Sequence, residues 1–178
     1  LAKRNSVQIP FKNINEAKKA YNFSNLESFL KIYYEGAKVL IKEKDFFELT
    51  WAYALKCKED NIVHTEIFFD PQTHTNRGIS FDIIINGIYK ALKKAEKEFD
   101  LSFKIIMCFL RHLSEEEGFK ILDQALVHKD KIFGVGLDSS EMGNPPKKFK
   151  KLFKKAVENN FITVAHAGEE GPPEYMWE

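Results

Sequence analysis

Apolar positions recur at helical spacing through the first third of the chain. Leu26, Phe29, Leu30 and Tyr33 fall on one face of residues 25–40, and Phe46, Phe47, Leu49, Tyr53 and Leu55 populate the next segment, so both predict helices. From Ile62 the rhythm changes. A short apolar run, IVHTEIFF, is followed by a turn-rich stretch, DPQTHTNRG, and then by Phe81, Ile84, Ile85, Ile88, Leu92 and Ala95 on one helical face. This predicts a strand, a loop and a helix. The unit recurs with FKIIMCFL from Phe103, where Ser114 and Glu117 have the spacing of a capping box ahead of a helix carrying Phe119, Leu122 and Leu126. A third copy runs from IFGVGL at Ile132 to a helix opened by Pro145 and Pro146, with Phe149, Leu152, Phe153, Ala156 and Val157 as its apolar stripe. FITVAH from Phe161 predicts a fourth strand, after which Gly171, Pro172 and Pro173 break the chain before one more helix start.

Near-continuous apolar strands flanked by amphipathic helices need a parallel sheet covered by helices, so the predicted class is α/β. No Gly-rich phosphate fingerprint follows a strand, which disfavours a dinucleotide-binding open sheet. Polar residues stand instead at each strand's carboxyl end: Asp70, then Arg111 and His112, then Asp138 with Glu141, then His166 with Glu169. In a (β/α)8 TIM barrel these ends form the rim of the active site. Four strands make about half of such a barrel.

Composition narrows the partners. At 178 residues and 44% hydrophobic content there is material for one domain with a sizeable core. Lys and Arg number 27 against 26 for Asp and Glu, which gives no electrostatic reason to expect nucleic acid or a membrane surface, and points to a small-molecule partner. Cys57 and Cys108 are far apart and fit a reducing, cytoplasmic setting. The start, LAKRNSVQIPF, has no signal-peptide core, and with no initiator Met and an end at GPPEYMWE both termini read as cut.

The chemistry concentrates in VAHAGEEGPPEY, where His166 and Glu169 stand three residues apart as a buried strand opens into a loop. An imidazole there could bind a metal beside a proton-handling carboxylate. The same spacing also suits a hydrogen-bonded rim histidine and a solvated loop acid.

VGLDSSEMGNPP followed by TVAHAGEEGPPEY resembles the core signature of the adenine/adenosine deaminase family, and FLRHLSEE and EIFFDPQTH match it at two earlier strand ends. The resemblance implies a metallo-dependent hydrolase barrel in which zinc activates water to attack C6 of a purine, releasing ammonia, with His166 a zinc ligand and Glu169 the proton donor. It further implies substrate contacts from Asp138, Glu141 and Gly168, and an apolar wall over the purine that includes Leu26 and Phe29. Glu141 is expected at the purine edge, where it would reduce the room for a ribose. The SSE form is more similar to the adenine branch, so the expected reaction is adenine to hypoxanthine in purine salvage. The alternatives are adenosine to inosine and a purine-binding relative without the metal.

The departures matter as well. The family's His-x-His pair of zinc ligands on the first barrel strand is missing among His64, His74, His112, His128 and His166, as are a second catalytic His and a ligand Asp from late strands. Residues 1–178 are thus expected to be a single incomplete domain, without the first and late strands, and inactive by itself. The PCxxC zinc element of nucleic-acid base deaminases is also absent.

Overall fold

A computed structural model describes all residues 1–178. The helices α1 (Ala2–Asn5), α2 (Ile14–Ala20), α3 (Leu26–Ala37) and α4 (Glu43–Glu59) precede the sheet. Their starts are set locally: the Asn13 side chain accepts from the amides of Asn15 and Glu16, and Asn25 and Ser28 cap α3 reciprocally. Then come β1 (His64–Phe69), α5 (Gln72–Thr75), α6 (Phe81–Phe99), β2 (Ser102–Leu110), α7 (Glu115–Val127), β3 (Gly134–Asp138), α8 (Lys150–Glu158) and β4 (Ile162–Thr163). No helix is long and apolar enough to cross a membrane.

The four strands are parallel and lie in chain order, β1-β2-β3-β4, with α6, α7 and α8 as the crossovers. This is the α/β arrangement of part of a (β/α)8 barrel. Register decides what each face presents. Phe68 lies opposite Ile106, Cys108 opposite Gly136, and Leu110 opposite Asp138. Side chains alternate along a strand, so even-numbered residues share the concave face and odd-numbered ones face the helices. On the helix side Ile105, Met107, Phe109, Val135 and Leu137 join Ile84, Ile85, Leu92, Leu122 and Leu152 in one core of 21 buried residues. On the other side Gly136 lets Cys108 pack close, since a Cβ there would meet its Sγ at 2.5 Å.

The structure adds the facing of side chains on α4 and corrects three expectations: the Val157 stripe position, the Glu117 capping box and the length of the fourth strand. Leu49, Tyr53 and Leu55 lie on the exposed side of α4, which buries Phe46, Thr50, Ala54 and Cys57 instead. Val157 is likewise exposed on α8. Ser114 caps α7 by accepting the Glu117 amide, but the Glu117 carboxylate takes Lys120 rather than closing a box. The fourth strand is two residues long, although the chain stays in register beyond it: Val164 N–H donates to Val135 and His166 N–H to Leu137, at 3.0 and 2.9 Å.

Candidate active site

The shared even-numbered face brings the chemical residues together. Asp70 after β1, Asp138 at the end of β3 and His166 after β4 line one cleft of about 220 Å³ with Glu169, walled by Leu26, Phe29, Leu30 and Tyr33 of α3 and by Phe68. Five of the seven residues expected at the site therefore meet: Leu26, Phe29, Asp138, His166 and Glu169. The His166 ring stacks on Phe68 with centroids 5.5 Å apart, and its nitrogens make no hydrogen bond within the chain. An available imidazole is a donor that suits zinc, and it supplies one of the protein ligands such a site needs.

Glu141 and Gly168 are corrections. Glu141 is fully buried outside the cleft, and its carboxylate accepts the amides of Gly168, Glu170 and Gly171 at 2.7, 2.7 and 2.8 Å. The Glu141 carboxylate and the Gly168 amide are turned to each other, and Glu141 does not line the cleft where a purine edge would lie. Burial works to raise this carboxyl, but the three amides outweigh it and hold it below the usual range. Gly168 adopts φ +77°, and at Gly171 a Cβ would come within 2.9 Å of the Glu141 carboxyl carbon and 2.6 Å of the Tyr175 ring.

Arg111, also fully buried, holds the same segment from the other side. Its Nη1 donates to the His166 carbonyl at 2.7 Å and stands 3.8 Å from Glu141, while Nε donates to the Asn144 carbonyl at 2.9 Å. Glu169 is thus bracketed by backbone anchors at His166, Gly168 and Glu170.

At the floor, carboxyl oxygens of Asp70 and Asp138 and the Cys108 thiol lie within 4.8 Å of one another. Burial, and then hydrogen bonding and charge from Asp70, push Asp138 up to about 10. Burial also raises the Cys108 thiol, which rests as a protonated, packed group. Ser139, buried with φ +74°, hydrogen-bonds with the Tyr34 hydroxyl and with His112 Nδ1, both at 2.9 Å. Tyr34 is pushed up to about 12, chiefly by burial. Sequence reasoning left Asp70, Phe68, Tyr34 and Ser139 without a role. For Asp70 the signal was present, as a polar residue at a strand's carboxyl end. The other three are set by contacts between distant segments.

Comparison with known proteins gives the family and the fold. The adenosine deaminase family model matches residues 1–178. The chain is 62% identical over its whole length to the adenine deaminase of Acinetobacter baylyi, of which it covers 54%. The solved adenine deaminase of Arthrobacter aurescens superposes with a TM-score of 0.96 at 42% identity, over 99% of this chain and 54% of that one. An amidohydrolase structure from Burkholderia ambifaria, with bound zinc, shares the fold at a TM-score of 0.81 and 24% identity, over 94% of this chain and 46% of that one. The chain spans about half the length of the curated relatives it matches.

Proposed function

The chain belongs to the adenosine deaminase family, and on that premise we propose that the full-length protein hydrolyses adenine to hypoxanthine and ammonia. The observation that carries this reading is the convergence of His166, Glu169 and Asp138 on one apolar-walled cleft. The adenine deaminase names of relatives at 62% and 60% identity support the free base as substrate. Residues 1–178 form one incomplete barrel domain in this proposal, with the first and late strands supplied by the rest of the protein.

His166 would hold zinc at one position, the remaining ligands lying outside this chain. Bound zinc supplies the acidity that makes water a nucleophile near neutral pH. Glu169 gives a proton to N1 of the purine as water adds at C6; of the two protons that the water gives up, one restores Glu169 and the other goes to the amino group, which leaves as ammonia. Arg111 and Glu141 keep Glu169 and His166 in place through the backbone. Leu26, Phe29 and Phe68 stack on the ring and displace bulk water, which strengthens the polar contacts inside.

The test uses the full-length protein. Glu169→Gln keeps shape and hydrogen bonding but removes the transferable proton, so zinc stays bound while kcat falls by roughly two to four powers of ten. His166→Ala loses zinc and turnover together, read by elemental analysis and by adenine absorbance. A less than tenfold loss in Glu169→Gln, or stoichiometric zinc with normal turnover in His166→Ala, overturns these roles.

A further inference from the structure

We infer that Asp70 and Asp138 act together as the group that selects a free purine base, by hydrogen bonding to its N3 and N9–H edge. The inference rests on the purine deaminase reading of the cleft and adds a specificity element to it.

The two side chains come from strands that are not neighbours, and they meet because the register puts both on the concave face. Asp138 is 9% exposed. It lines the cleft, yet its Oδ1 has no hydrogen-bond partner, and neither has Oδ1 of Asp70. Asp70 Oδ2 faces the Tyr33 hydroxyl at 3.4 Å, and Cys108 closes the floor beneath the pair. Buried carboxyl oxygens left without partners in a cleft that opens to solvent are built for a ligand or for ordered water.

Two carboxyl groups this close and removed from water do not both carry charge, and burial, with Asp70 beside it, raises Asp138, which is the protonated member. The pair then offers one O–H donor and several acceptor lone pairs side by side. A free purine presents the complementary set: N3 accepts and the adjacent N9–H donates. A nucleoside has lost that donor to its ribose. It would leave a buried carboxylate unpaired as well as filling the space, and such a penalty separates close analogues more sharply than added apolar contact does.

The experiment compares purine with 3-deazapurine, which differ only in N3. Purine has no amino group to lose, so calorimetric binding to the full-length protein reads recognition independently of deamination. The wild type should bind purine about tenfold or more tightly than 3-deazapurine. In Asp138→Ala and in Asp70→Ala the ratio should fall toward one. Asp138→Asn, whose amide can still donate to N3 and accept from N9–H, should restore most of it, which a merely structural role would not produce. In parallel, the double alanine variant should reduce the adenine-to-adenosine ratio of kcat/KM by about tenfold or more. Unchanged purine discrimination in the folded alanine variants overturns the inference. A wild type that discriminates but leaves adenine unconverted overturns the deaminase reading and keeps the recognition.

Discussion

The two outer strands both deliver polar side chains to the cleft, and their loops are fixed by different means. β1 pairs with β2 along all six residues, from His64 opposite Ser102 to Phe69 opposite Met107. Its loop turns at once into α5, and buried Gln72 accepts the Leu110 amide at 3.0 Å, tying the loop to the central strand. β4 has two strand residues, and the segment after it forms no helix until the 3-10 turn at Pro173. There the buried ions Arg111 and Glu141 do what the ladder does at β1. Where sheet pairing gives out, position is set by charged side chains that bind backbone groups at fixed points, and such a device is costly to break. Taking one partner away leaves the other charge buried without compensation.

Glu141→Ala is therefore expected to have the largest effect. It leaves three loop amides without an acceptor and Arg111 without its countercharge, and should destabilise the full-length protein by about 3–5 kcal/mol in denaturant unfolding. The amides of Gly168, Glu170 and Gly171 should exchange much faster than in the wild type. Unchanged protection at those amides would mean that the loop is held by something else. Gln72→Ala, at the other edge, should cost less, about 1–3 kcal/mol for the one buried amide left unpaired. An effect equal to that of Glu141→Ala would erase the distinction between the two edges.

The third and smallest effect is a pH dependence confined to the β1 side. His74 is buried, with its ring 4.9 Å from Phe46 and Nδ1 2.8 Å from Arg77 Nη2. Burial first, and the Arg77 charge second, push it down to about 4. In the unfolded chain it titrates at its ordinary value, so between the two values the unfolded state binds more protons. The contribution of neutral His74 is complete above the ordinary value and is lost as pH falls toward 4. Stability should drop by about 1 kcal/mol from about pH 6.5 to about pH 5.5 through this group. His74→Gln should remove that part of the slope in the denaturant midpoint, and an identical slope in the variant would exclude His74 as its source.

Much of the fold was legible along the chain. The change from a period near 3.6 to short apolar runs located the strands and crossover helices, because a helix stripe and a doubly covered parallel strand leave different local patterns. Strand ends were less clear, above all at β4, where FITVAH has strand-like residues but short pairing. In α4 the apolar residues lie all around the helix, and spacing could not tell that Leu49, Tyr53 and Leu55 take the exposed side.

For the site, HAGE at residues 166–169 and the polar residues at strand ends pointed to the rim where the structure gathers Asp70, Asp138, His166 and Glu169, since the chemistry of an α/β barrel gathers where strands end. The α/β class, the rim, and His166 and Glu169 as the residues to test were thus readable along the chain. That Glu141 serves the backbone of the 168–171 segment, and that Asp70 meets Asp138 across an intervening strand, emerged from the folded arrangement alone. Local spacing records which face a side chain takes. The partner it finds there depends on the register of strands far apart in sequence, and on burial that leaves one polar group satisfied and another open.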